Sequence, residues 1–284
     1  LPAARKISGF ASHTSEHFCN ICHCSLSNPG LQNIDYSSWE IRTDQEYRHA
    51  AEKYRSAGNA HSKEEAFKES GVRWSELLRL PYFDMVKCVV VDPAHNLFLG
   101  LINEHFTNIL APSSTPCGHV LQAEEMSQVW CDIEQMLTPT WMTSVPARIG
   151  QPSHGKLKAD QWRILGTTHL SASLIRLWGS GLRDDERSQR CYDLLHVTQS
   201  LISAIILATS HTITKSNAKA YLRHMLQYLE GVKRLFPDYQ LVPNQHLALH
   251  IHQYLLLFGP VHSWWTFPYE RLIGTLQRTP HNGK

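Results

Sequence analysis

Charge is scarce in this sequence. Only 18% of its 284 residues are Asp, Glu, Lys or Arg, below the usual quarter for a globular domain. The formal balance is +2, which gives no sign of the strong basic field expected of an autonomous nucleic-acid binder. The cysteines number seven, an odd count without a regular framework, which suits a reducing compartment better than secretion. No apolar run reaches the length of a membrane span, since the longest, around Leu201 to Ala208, is too short. Nor is there an initiator Met or a signal peptide. The chain opens Leu1-Pro2-Ala3-Ala4-Arg5-Lys6 and stops after His281-Asn282-Gly283-Lys284, so it reads as an excerpt of something longer. It contains no internal repeat.

Apolar residues make up 42%, enough at this length for a sizeable core in one large domain or two ordinary ones. Five segments follow from composition. Residues 1–30, rich in Ser, His, Cys and Gly, suit a loop or short knuckle. Residues 31–110 form a helical region, with Tyr47, Ala50, Ala51, Tyr54, Ala66 and Phe67 spaced for one face between about Asp44 and Ser70. Within it, Val89-Val90-Val91 is a short β-branched run that predicts one extended segment, and Asn96 to Leu110 predicts a helix. Residues 111–160 are linker-like, with Pro112, Pro116, Pro139, Pro146 and Pro152 flanking one helix near Glu124 to Leu137. Residues 161–240 repeat apolar positions at three- and four-residue spacing, as bundle helices do. They give helices over Asp160–Trp178, Cys191–Thr209 and Ser216–Phe236, the last with Ser216 as N-cap. Residues 241–284 hold a helix from Asn244 to Leu257, stopped by Gly259-Pro260. The fold class expected is mainly α.

Two half-sites stand at opposite ends of the chain. Cys19-Asn20-Ile21-Cys22 offers two thiols, and His246 and His250, at i and i+4, share one helix face. Two thiolates and two imidazoles suit a closed tetrahedral zinc site. The plain alternatives are a Cys pair without metal and two polar positions on a half-buried helix. Spacing alone does not bring residues so far apart into contact, and it leaves Cys24 or His23 open as a replacement ligand.

Several motifs, in order along nearly the whole chain, carry a family resemblance. They are Leu1-Pro-Ala-Ala-Arg-Lys-Ile-Ser-Gly-Phe-Ala-Ser-His13 with His17-Phe18-Cys19-x-x-Cys22, Gly71-Val72-Arg73-Trp74-Ser75-Glu76-Leu77, and Asp92-Pro93-Ala94-His95-Asn96-Leu97-Phe98-Leu99-Gly100. Lys158-Ala159-Asp160-Gln161-Trp162-Arg163 follows, then Phe258-Gly259-Pro260-Val261-His262-Ser263-Trp264-Trp265 running into Phe267-Pro268-Tyr269-Glu270-Arg271. The set resembles the tnp2-type transposases of CACTA (En/Spm-like) DNA transposons, in the form found in mushroom-type fungi. The resemblance implies the helical insertion and the C-terminal Glu-bearing helix of an RNase H-like nuclease core. In such a core three carboxylates (Asp, Asp, Glu) hold two Mg²⁺ or Mn²⁺ ions for phosphodiester chemistry. It implies structural zinc on Cys19, Cys22, His246 and His250, joining the two ends of the chain, with Glu270 close to that clamp.

By the same resemblance Glu270 matches the final catalytic carboxylate. Its plain reading is an acid in the first turn of a helix after Pro268. Asp92 and His95 match an Asp-x-x-His motif, read equally as a buried pair stabilising a bend or as metal ligands. Asp35, Asp84 and Asp160 have ordinary surface or capping explanations. The resemblance places both catalytic aspartates before Leu1, so the expectation is a transposase segment that does not cleave DNA alone. Its implied setting is the nucleus, its partner the terminal inverted repeats of a DNA element, with a homo-oligomer allowed and no membrane. Lys156, Lys158, Arg163, Arg176 and Arg183 are either phosphate contacts or a solvated helix face. Two readings of other classes compete: a domesticated, non-catalytic, zinc-stabilised DNA- or protein-binding scaffold, and a zinc hydrolase built on the histidine pair.

Overall fold

Local capping chemistry sets the first helix boundaries. Thr43 Oγ1 accepts the Glu46 amide while the Glu46 carboxylate accepts the Thr43 amide at 2.7 Å, a reciprocal pair that satisfies two orphan donors. Asn59 Oδ1 accepts the Ser62 amide at 2.9 Å, a one-way cap. The helical stretch read over Asp44–Ser70 therefore breaks at Ala57, whose backbone is extended, and restarts after Asn59. Gly71 ends it in the left-handed conformation, with φ 72°.

The computed structural model describes residues 2–27, 30–110, 120–151, 155–179 and 184–279. Its α-helices are α1 (Pro2–Ile7), α2 (Asp44–Ser56), α3 (Ala60–Ser70), α4 (Met85–Cys88), α5 (Ala123–Gln135), α6 (Ala159–Ile164), α7 (Ser171–Trp178), α8 (Glu186–Ala208), α9 (Lys215–Leu235), α10 (Pro243–Phe258) and α11 (Phe267–Arg278). The chain is mainly helical, as expected. Among the described residues no strand forms, and only isolated bridges join Phe10 to Val72 and Cys22 to Ile41. Val89–Val91 is thus not a paired strand. The Val89 carbonyl accepts instead from the side chains of Asn20 (2.8 Å) and Tyr254 (3.1 Å). Pro112, Pro116, Pro152 and Arg183 lie outside the described residues.

Two compact units are assembled from separate stretches: Leu1–Val91 with Asp238–Tyr254, and Asp92–Pro237 with Leu255–Lys284. The 241–284 segment therefore contributes to both. In the first unit, Phe10, Tyr47, Ala51, Val72, Met85 and Val86 are buried together. α1 lies in the stretch read as loop, and its Arg5 turns inward.

In the second unit α8 and α9 form a long hairpin. Gly231 permits their close approach, since a Cβ there would come 2.4 Å from Val197 Cγ2. The N-cap of α9 is Thr214, whose Oγ1 accepts from Asn217 at 3.1 Å, and not Ser216, which falls inside the first turn. α8 is long and apolar enough to cross a membrane by composition, but 56% of that window is buried within the protein, including Leu194, Leu201 and Ile205. The helix expected over Asn96–Leu110 exists in wider form, as π-helical runs over Ala94–Ile102 and His105–Leu110. Another π-helical run, Leu165–Leu170, joins α6 to α7.

Candidate metal centre and the surroundings of Glu270

The first unit brings the two half-sites together. Cys19, Cys22, His246 and His250 are all buried, and one ligand atom from each lies within 4.8 Å of every other. The i, i+4 spacing on α10 points both imidazoles the same way. Cys19 Sγ is 3.5 Å from His250 Nε2, Cys22 Sγ 3.3 Å from His246 Nε2, and the two Nε2 atoms are 3.3 Å apart. The sulfurs are separated by 3.5 Å.

These separations test the fit of a metal. With Zn–S about 2.3 Å and Zn–N about 2.05 Å, a regular tetrahedron has edges of about 3.8 Å (S–S), about 3.5 Å (S–N) and about 3.3 Å (N–N). Four of the six edges match within a few tenths of an ångström, and the other two are within 4.8 Å. The donor set also balances charge, because two thiolates and two neutral imidazoles cancel a divalent cation, which burial requires. The buried Cys₂His₂ group can hold a metal such as zinc.

The surroundings explain why the knuckle holds its shape. The Ile21 and Cys22 amides both donate to Cys19 Sγ at 3.4 Å, favouring its thiolate form. Two arginines, Arg5 buried and Arg42 partly so, grip the backbone: Arg5 bonds the Phe18 carbonyl and, through Nε, the Ala11 carbonyl at 2.8 Å, while Arg42 Nε donates to the Cys22 carbonyl at 2.9 Å. Burial lowers the pKa of both guanidinium groups. Aromatic rings close the other side. Trp39 stacks on His246 at 4.1 Å, Phe18 meets the same ring edge-on at 4.9 Å, and Tyr36 approaches His250. Nδ1 of each histidine is buried without a hydrogen-bond partner among the described residues, so the imidazoles are backed by aromatic rings where a carboxylate or carbonyl usually supports a metal-binding histidine.

Without metal the group shares protons unevenly. Burial favours the neutral Cys19 thiol, yet the Cys22 hydrogen bond and the charges of His250 and His246 win and hold it well below its ordinary value. Cys22, donating to Cys19 and beside Cys24, is pushed up. Burial would lower His246, but the Cys19 thiolate outweighs it and raises the imidazole to about 9. The thiolate–imidazolium pairing is what a cation would replace. Neither alternative ligand joins the four: Cys24 Sγ meets the Ser25 and Gly30 carbonyls, and the His23 ring pairs with Glu46 at 3.7 Å.

In the second unit Asp92, His95 and Glu270 come together. Asp92 is fully buried. Its Oδ2 accepts the His95 amide at 2.9 Å and His95 Nδ1 at 2.7 Å, and its Oδ1 accepts the Thr266 amide at 2.7 Å. Burial would raise the Asp92 carboxyl, but these hydrogen bonds hold it below the usual carboxylate range. Thr266, the N-cap of α11, places Oγ1 3.0 Å from Asp92 Oδ2 and 3.1 Å from Glu270 Oε1. His95 Nε2 lies 3.4 Å from the same Oε1. Asp92 and His95 are therefore hydrogen-bonded to one another, with Asp92 buried and His95 partly exposed. Glu270 sits in the first turn of α11, and its described polar neighbours all belong to its own unit.

Among the described residues, donors close enough to share an ion form two groups, the Cys₂His₂ set and an exposed one of His23, Glu40 and Glu46. Asp92, His95 and Glu270 do not form a third. Asp84 caps α4 through the Val86 and Lys87 amides, Asp35 accepts the Ser37 amide, and Asp160 pairs with Arg163 at 2.8 Å. Arg176 is taken by Asp132 at 2.8 Å. Sequence reasoning missed Arg5, Arg42, Trp39 and Thr266. Only Thr266 left a readable sign, as a capping residue two positions before Pro268.

Comparison with protein-family models and with curated proteins finds no match.

Proposed function

We propose that these residues are a segment of a CACTA-type DNA transposase, contributing the helical insertion, a structural zinc site and the last catalytic carboxylate, Glu270. One observation carries the reading: Cys19 and Cys22 meet His246 and His250 across more than two hundred positions in one buried group, the pairing that the family resemblance implies. In an intact RNase H-like site Glu270 would supply one carboxylate towards Mg²⁺ or Mn²⁺, ions suited to phosphodiester chemistry; this chain's residues alone do not complete that site. Here Asp92 and His95 act as positioning residues, fixing the start of α11 and one oxygen of Glu270. The setting would be the nucleus, and the DNA partner the terminal inverted repeats.

A closed four-donor centre leaves no position for a reacting water, which counts against the zinc-hydrolase reading. The scaffold reading has one observation in its favour. Both oxygens of Asp92 are engaged by protein donors, and no group of three carboxylates converges among the described residues.

Incubating the purified chain with duplex DNA carrying terminal inverted repeats, with Mg²⁺ or Mn²⁺, separates these. DNA binding without nicking is expected for the isolated segment, because one carboxylate does not hold two cations. Mg²⁺-dependent nicking that disappears in Glu270→Ala would overturn the expectation of inactivity. The transcript upstream of Leu1 tests the catalytic half. An open frame bearing two further aspartates supports it, and a stop codon at that point leaves only the scaffold.

A further inference from the structure

From Leu194 to Leu229 the chain carries no aspartate or glutamate. Within that stretch α9 presents Lys215, Lys219 and Arg223, all exposed, at successive intervals of four residues. Such spacing puts the three cations on one face, about 6 Å apart along the axis, in a row about 12 Å long. Some cations elsewhere are answered by acids: Arg48, Lys53, Arg79, Arg163, Arg176 and Arg187 each lie against a carboxylate. Among the described residues no ion pair involves the three on α9. Lys215 stands in the first turn, where the helix dipole disfavours positive charge and no acid offsets it.

We propose that this row on α9 is a contact surface for the phosphodiester backbone of duplex DNA. The row covers three to four phosphates of one strand at about 3.4 Å of axis per phosphate. It sits on a rigid element, since α9 is anchored by Tyr221, Met225, Tyr228 and Val232, all fully buried. An anionic membrane surface is the weaker fit: that surface calls for apolar side chains beside the cations, and no large hydrophobic residue between His211 and Arg234 is exposed. The assignment rests on the reading that the chain's polymer partner is DNA. It moves the phosphate contacts away from Arg163 and Arg176, whose guanidinium groups are already paired.

Fluorescence anisotropy with a labelled duplex of arbitrary sequence, titrated at several salt concentrations, tests it on the whole chain. The parent should bind, and Lys215→Gln/Lys219→Gln/Arg223→Gln should bind at least about tenfold more weakly at about 50 mM salt, with the log–log salt slope reduced by about 0.9 per cation removed. Lys6→Gln/Arg79→Gln/Arg148→Gln, with the same loss of charge, should stay near the parent. Equal losses in both triples would overturn the surface assignment while leaving DNA binding intact. No binding by the parent at low salt would sink the DNA reading as well. Parent binding to phosphatidylserine vesicles, lost in the α9 triple while DNA binding persists, would reassign the row to a membrane.

Discussion

His95 Nε2 lies 3.4 Å from Glu270 Oε1 while its Nδ1 lies 2.7 Å from Asp92 Oδ2. One imidazole thus links a fully buried carboxylate to a half-exposed one. The linkage is asymmetric. Asp92 is surrounded by donors, whereas Glu270 faces solvent and owes its orientation to His95 and Thr266. Asp92→Asn replaces one acceptor oxygen by an NH₂ among donors. It should cost about 2–3 kcal/mol, read as a lower Tm. Glu270→Gln alters only a contact to a solvent-screened carboxylate and should cost less than about 1 kcal/mol. Equal losses in the two variants would contradict the hierarchy.

Metal content is the direct test of the Cys₂His₂ group. The purified chain should carry one zinc per molecule by elemental analysis, and Cys22→Ser or His250→Ala should lose it. Cys24→Ser should keep it, because Cys24 is held by backbone carbonyls outside the donor set. Chelation should destabilise the first unit by about 5 kcal/mol or more, given the affinities of structural zinc sites. A metal-free parent with an unchanged Tm would remove zinc from the account.

His105 should make the second unit acid-sensitive. It is buried, its Nε2 lies 2.9 Å from Thr198 Oγ1, and that hydroxyl donates to the Leu194 carbonyl at 2.8 Å. Thr198 is therefore the acceptor, and His105 carries its proton on Nε2. Burial alone lowers its pKa to about 3. A depressed folded-state pKa means that the unfolded chain takes up the proton first. The contribution is present in full above about pH 6.5 and is lost as pH falls towards about 3, by about 1.4 kcal/mol per unit. His105→Gln keeps a donor and does not titrate, so its Tm should fall less than the parent's between pH 7 and pH 5.

Gly231→Ala should destabilise the α8–α9 hairpin by about 1–3 kcal/mol through overpacking against Val197. Val197→Ala in the same chain should recover part of that loss, a coupling that thermal unfolding of the two single variants and the double variant would measure.

Helices were legible because their apolar spacing survives without knowledge of the partner surface; α8, α9 and α10 begin or end within a few residues of the periodic patterns. Helix starts were less so. Thr214 and Ser216 are chemically equivalent caps, and only backbone geometry chooses between them. The π-helical widening after Asp92 has no residue signature. The four donors were legible as residue types, but their meeting depends on α10 being folded against the Cys19–Cys22 knuckle, which spacing does not encode. Arg5 and Trp39 carry no mark of this role in the sequence. What makes them part of the centre is a carbonyl and an imidazole face that exist only once the unit has formed.

The half-sites are also separated in time. Between Cys22 and His246 a ribosome working at about 5–20 residues per second needs about 10 to 45 s. During that interval the two thiols have emerged and their imidazole partners have not been made. The first unit, made from Leu1–Val91 and Asp238–Tyr254, completes only after the whole of α8 and α9 has left the tunnel. The nascent chain thus holds an unfinished domain open while a later one is synthesised. Metal ions and thiol oxidants alike can reach that early knuckle before they meet the finished centre.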